Sequence, residues 1–312
     1  MSAIVSPPSS EFAEVIGDEL RLVRVAETDA HEGPVYVPGH DALYFTTLPQ
    51  RDRDGVPRVD IKRLPLDGEP TVVRADANAA NGMALGRDGR LLVCEQGTPA
   101  TSARITAFDP DTGEVETLVD HWYDLRLNSP NDALQAADGA IWFTDPTYGF
   151  LQGFRPEPVV GDRVYRYEPD TGTLHAVADS LDKPNGLAFS PDGRTLYVTD
   201  SGANQEPGSF YADRPHHVVA FDVAPFTATL SNERVFAEIE PGFPDGIKVD
   251  SDGRVYISSF SGVQVFDPDG SRIGQIELPG AVNFCFGGRG RNVLFITNDT
   301  AIYAAHLEAR GA

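Results

Sequence analysis

The chain repeats itself. A small polar pair, a short alternating strand, an Asp-Gly turn and a second strand rich in β-branched and aromatic residues recur along it. The copies read NGMALGRDGRLLVCE from Asn81, NDALQAADGAIWFTD from Asn131, NGLAFSPDGRTLYVTD from Asn185 and DGIKVDSDGRVYISS from Asp245. Two degenerate copies, EGPVYVPGHDALYFTT from Glu32 and NFCFGGRGRNVLFITND from Asn283, flank them. The register is tight, since Asn81 to Asp88, Asn131 to Asp138, Asn185 to Asp192 and Asp245 to Asp252 are each seven residues. Two strands joined by Asp-Gly form a hairpin, because Gly accepts positive φ and Asp bonds its own backbone. Further turn signals in FDPDTGE, YEPDTGT and FDPDG bring each repeat to about four strands. Six such units at a mean spacing of about 50 residues predict an all-β, six-bladed β-propeller with four-stranded blades. The strand-like RLVRVAE (Arg21–Glu27) lies upstream of the first copy and is expected to complete the last blade. Residues 1–20 then read as an N-terminal extension of a single 312-residue domain.

Two stretches break the period. Gly149–Asp162 and Ser201–His217 are rich in Gly, Pro and aromatic residues and are expected to cover one mouth of the ring.

A propeller turns the first strand of every blade toward a central channel, so equivalent repeat positions form a ring. Here those positions are Glu32, Asn81, Asn131, Asn185, Asp245 and Asn283, all acids or amides where a core would place Val, Leu or Ala. Such a ring needs an ion or water to satisfy it. Two carboxylates with amide carbonyls make a hard, all-oxygen donor set suited to Ca²⁺, with Mg²⁺, Mn²⁺ or Zn²⁺ as substitutes. One neighbouring histidine, His31, does not make it a zinc site. The ends of the second strands give another polar set, Glu95, Asp145, Asp200, Ser259 and Asn298. These either line a pocket for a hydroxylated substrate or cap the strand ends.

Charge narrows the function classes. Acidic residues outnumber basic ones 47 to 25, a net charge of −22, which repels phosphate backbones and anionic membranes but attracts cations. Nucleic-acid and membrane partners are therefore not expected. No apolar run approaches a membrane span, and the N-terminus lacks a signal-peptide pattern, so a cytoplasmic protein, monomer or dimer, is expected. The two cysteines, Cys94 and Cys285, sit in apolar runs and read as buried thiols. No G-x-S-x-G elbow supports a nucleophilic serine, and no phosphate loop supports a nucleotide.

The ordered motifs HEGP (31–34), SPND (129–132), TDPTYG (144–149), KPNG (183–186) and FPDG (243–246) resemble the gluconolactonase/regucalcin family. That resemblance implies a six-bladed propeller with a divalent cation, usually calcium, in its channel. It places the metal ligands at Glu32, Asn131, Asn185 and Asp245 and implies hydrolysis of sugar lactones. Asp245, on a Pro-fixed turn, and Asn131 are expected to take part in the chemistry. Asp132, Tyr148, Asn81 and Glu95 are expected to contact substrate. Regucalcin carries an Arg two residues before its P-N-D-type Asn, where this chain has Ser129, so the particular sugar does not carry over. Three other readings stand beside the lactonase: a phosphotriesterase-like activity at the same metal, a non-catalytic calcium-binding propeller, and a strictosidine-synthase-like condensing propeller that would not need the acid-and-amide ring.

Overall fold

A computed structural model describes residues 9–17, 19–225 and 229–312. It contains six four-stranded antiparallel sheets. Their first strands are Ala30–Val37, Ala80–Leu85, Ala133–Gln135, Pro184–Phe189, Ile247–Val249 and Phe284–Gly287, here blades 1 to 6. Each first strand touches that of the next blade, and blade 6 touches blade 1, so the circuit is closed. Closure of the last sheet uses the chain's beginning, as expected. Arg21–Glu27 pairs antiparallel with Ala301–His306, from Arg21 opposite His306 to Glu27 opposite Ala301.

The hairpin turns follow from the repeat. Gly89, Gly139 and Gly193 all have φ between 68° and 93°. The Asp before each accepts the backbone N–H two residues on, at 3.0 Å for Asp88, Asp138 and Asp192. In blade 5 that role passes to the buried Asp250, which accepts from Arg254 N at 2.9 Å and from the Tyr256 hydroxyl at 2.9 Å.

The core is divided among the joints between blades. Six apolar clusters fill six joints: Tyr44 with Phe108, Phe143 with Ile105, Trp142 with Leu196, Tyr197 with Ile257, Tyr256 with Phe284, and Phe45 with Phe295. Alternating strand residues face the two flanking blades, so every blade contributes to two clusters.

The segment before residue 20 is more than an extension. Ser10–Ile16 is an α-helix, capped by the Ser9 hydroxyl accepting from Phe12 N. Its Phe12, Val15 and Ile16 are buried in the cluster between blades 5 and 6. Gly274 receives the Phe12 ring, since a β-carbon there would lie 2.2 Å from Phe12 Cγ. None of the described helices is long and apolar enough to cross a membrane.

Phe12→Ala should therefore destabilise the fold by about 3 kcal/mol, the cost of emptying a buried aromatic site. Urea unfolding checks this, and a loss under about 1 kcal/mol would mark the helix as peripheral.

Candidate active site

The ring residues meet at one mouth of the channel because each first strand begins there. What fixes them is a second ring, at or one residue short of each second-strand end: Thr46, Cys94, Thr144, Thr199, Ser258 and Thr297. Five of these carry a hydroxyl, and each hydroxyl donates to a backbone carbonyl of the next blade. The bonds are Thr46 to Asn81 (2.9 Å), Thr144 to Asn185 (2.6 Å), Thr199 to Asp245 (2.9 Å), Ser258 to Val282 and Thr297 to His31 (2.6 Å). Three of them also accept a backbone N–H from their own blade, from Asp132, Gly186 and Asn283. The glycines after the ring residues allow the blades to close. A β-carbon on Gly82 would lie 2.4 Å from the Asn131 carbonyl, and one on Gly186 2.6 Å from that of Asp245.

Within this frame the donor set is largely buried. Glu32, Asn131 and Asn185 are 4%, 6% and 6% exposed, whereas Asp245 keeps more of its surface open to the channel. Glu32 Oε2 accepts from Asn283 Nδ2 at 2.7 Å and Gly33 N at 3.1 Å. Asn283 Oδ1 accepts from Phe284 N at 2.7 Å, so this ring member orients Glu32. The amide of Asn185 lies against the Asp245 carboxyl. Asn131 Oδ1 is a buried acceptor with no partner.

Burial, then the charge of Asp245, pushes the Glu32 carboxyl up to about 8. Burial also raises Asp245, to about 7, against the hydrogen bond from Asn185 and with the charge of Asp132. Two mutually repelling carboxylates and an orphaned amide oxygen fit a hard dication bound by oxygen. The fit rests on mixed donors. Among the described residues no group of three or more His, Cys, Asp and Glu side chains could hold a metal ion.

The other expected contacts divide. Tyr148 is buried, within hydrogen-bonding reach of Ser201. Burial and the charge of Asp245 hold its hydroxyl well above the usual tyrosine range. Asn81 is half-buried at the mouth and donates through Nδ2 to the Asn131 carbonyl at 3.1 Å. Asp132 is buried and faces down the channel, with Lys248 Nζ 3.7 Å from Oδ2, so its expected substrate contact is replaced by an ion pair. Ala133 and Lys248 also line an apolar cavity of about 520 Å³, with Met83, Leu187 and Phe286.

Glu95 is corrected as well. Both its oxygens are engaged by Arg74 (2.5 Å), Arg104 (2.6 Å), Asn78 (2.9 Å) and Thr106 (2.9 Å), and it is fully buried. The rest of that polar set caps rather than lines. Asp145 accepts from the N–H groups of Asn128 and Ser129, and Asp200 from those of Asp182 and Lys183, fixing the SPND and KPNG loops.

Sequence reasoning noted His31 but missed its partner and several other residues. His31 Nδ1 is 2.6 Å from Asp299 Oδ1, beside Glu32. Lys183 Nζ joins Asp162, at the end of the first insert, to Asp182, which Arg214 of the second insert also meets at 3.0 Å. Arg155 crosses from the first insert to the carbonyls of Asn128 and Thr98. Both inserts are thus tied to the loops that carry Asn131 and Asn185.

A sequence profile described as the SMP-30/Gluconolactonase/LRE-like region matches residues 30–300. The chain belongs to this family. Among curated relatives it is 33% identical to the lactonohydrolase oryL of Aspergillus oryzae, over 86% of this chain and 66% of that protein. It is also 33% identical to a gluconolactonase of Zymomonas mobilis, over 85% of this chain and 75% of that one. A solved gluconolactonase structure from Xanthomonas campestris superposes with a TM-score of 0.82 at 36% identity, covering 97% of this chain and 94% of that chain. The family thus joins the propeller frame to relatives named for lactone chemistry.

The raised carboxyls set a pH dependence. Their folded values lie above the unfolded values of about 4, so they add stability below pH ~4, and the gain is lost as pH rises toward 7–8. In chelator-treated protein, the melting temperature of wild type relative to Glu32→Gln/Asp245→Asn should fall between pH 5 and pH 8, with Ca²⁺ removing the fall at the upper end. A difference that stays flat with pH would place these carboxyls in ordinary solvent.

Proposed function

We propose that the protein is a divalent-cation-dependent hydrolase that opens sugar lactones, such as glucono-1,5-lactone, to aldonic acids. The observation that carries the reading is the buried, unpartnered Asn131 Oδ1 beside two carboxyls that burial and neighbouring negative charge push upward. The names of the relatives support the substrate class. Glu32, Asn131, Asn185 and Asp245 would hold the cation, for which Ca²⁺ suits the oxygen donors best. Bound there, the cation supplies Lewis acidity at the lactone carbonyl, where negative charge develops.

The chain's own groups do the rest. Asp245 is the ligand most open to the channel, so it takes the proton from water as the new C–O bond forms. It returns that proton to the ring oxygen as the ring C–O bond breaks. Glu32, held by Asn283 and Gly33, remains a ligand. Asn131, a ligand with an unpartnered oxygen, is assigned to orienting the carbonyl. Tyr148, bordering Asp245, is assigned to substrate contact. The product is an anion, and a protein of net charge −22 favours its departure.

A pH-indicator assay on glucono-1,5-lactone and a panel of aldonolactones tests this. Acid release should vanish in chelator-stripped protein and return with Ca²⁺. Asp245→Asn should lower kcat by about 10²-fold or more, the usual contribution of a positioned base. His31→Gln should leave most of the rate. The reverse pattern would move the proton path to the His31–Asp299 pair. No release from any lactone with the cation bound would favour phosphotriester hydrolysis, to be assayed next, or a binding role.

A further inference from the structure

The hydroxyl ring has one gap. In blade 2 the position held elsewhere by Thr or Ser is Cys94, buried in the apolar cluster between blades 2 and 3. Among the described residues its thiol donates to nothing. The carbonyl it would have reached is that of Asn131, by analogy with the five other joints. That carbonyl is not left unpaired. It accepts from Gly82 N at 2.7 Å and from the side-chain amide of Asn81 at 3.1 Å. At the joint between blades 5 and 6 the same carbonyl position, on Val282, accepts from Gly246 N and from the Ser258 hydroxyl. The two joints match donor for donor, except that an amide stands in for a hydroxyl.

We infer that Asn81 is a positioning residue for Asn131: its side-chain amide replaces the hydroxyl missing at Cys94 and fixes the backbone of a ligand whose Oδ1 is buried without a protein partner. The inference rests on the proposed cation site and changes the expected part of Asn81, from substrate contact to support of a ligand. The physical need is specific to this joint. Asn131 Oδ1 is buried and makes no hydrogen bond, so its side chain depends on packing and on the backbone it hangs from. A loosened carbonyl would let that backbone rotate. Every other ring residue with a cation role has a hydroxyl on its own carbonyl or on that of its neighbour, as at Asn185, Asp245 and His31–Glu32.

The test is a rescue. Asn81→Ala, Cys94→Thr and the double variant are made in the full chain. Ca²⁺ affinity is measured by calorimetry on chelator-stripped protein, melting temperature without Ca²⁺, and kcat and KM on glucono-1,5-lactone. Asn81→Ala should weaken Ca²⁺ binding by roughly threefold to tenfold, the worth of one hydrogen bond, and lower kcat with KM little changed. Cys94→Thr restores the hydroxyl, so the double variant should recover most of the lost affinity and melting temperature. A raised KM with unchanged Ca²⁺ affinity would make Asn81 a substrate contact and overturn the inference. So would a double variant no better than Asn81→Ala, including one that fails to fold when the single variant also fails. Wild-type protein that binds no divalent cation would instead overturn the proposed function. In that case the melting temperatures alone still decide whether the Cys94→Thr hydroxyl substitutes for the Asn81 amide.

Discussion

One kind of bond holds this molecule in register: a second-strand hydroxyl that reaches from its own blade to a backbone carbonyl of the next. A propeller closes only if six sheets keep constant angles around an axis, and apolar packing between them is non-directional. The hydroxyl bridges add direction. They occur at five of six joints, from buried hydroxyls to buried or half-buried carbonyls, where an unpaired group would carry a desolvation penalty. Their targets are the ring residues themselves or immediate neighbours. The interaction that sets blade geometry therefore also sets the donor positions at the channel mouth.

The electrostatics of the channel follow from that placement. Glu32 and Asp245 share a low-dielectric site; burial raises both, the charge of Asp245 adds to the rise at Glu32, and that of Asp132 to the rise at Asp245. Asn283 and Asn185 offset part of this by donating amide hydrogens, without supplying charge. Deeper in the channel, Lys248 supplies a fixed positive charge to Asp132. That leaves two carboxyl groups and the Asn131 oxygen at the mouth as the set that the proposed dication would balance. The surface carries the same sign, so cations are attracted and an anionic product is repelled.

The fold was largely legible because the seven-residue spacing from ring residue to turn is a direct image of hairpin length, and the Asp-Gly pairs name the turns. The ring was legible for the same reason, since equivalent positions in a repeat occupy equivalent radii. Partnerships were not legible. Glu95 and Asp132 look like free acids in sequence, and only packing brings Arg74, Arg104 and Lys248 to them. The pairing of His31 with Asp299 spans 268 residues and leaves no local signal. The hydroxyl ring did leave one, in the Thr or Ser at or just before five of the six second-strand ends, but attention fell on the polar residues one position later. The helix at Ser10–Ile16 was hidden by its shortness, and its burial depends on Gly274, far along the chain.

The central claim is that the propeller frame presents Glu32, Asn131, Asn185 and Asp245 as one cation site on the channel axis. Anomalous diffraction from crystals of the protein soaked in Mn²⁺ tests it most directly. The account predicts a single strong peak within about 2.5 Å of Asn131 Oδ1, with carboxylate oxygens of Glu32 and Asp245 completing the shell. A peak elsewhere in the channel, or none at the mouth while the soaked ion binds at the surface, would contradict it.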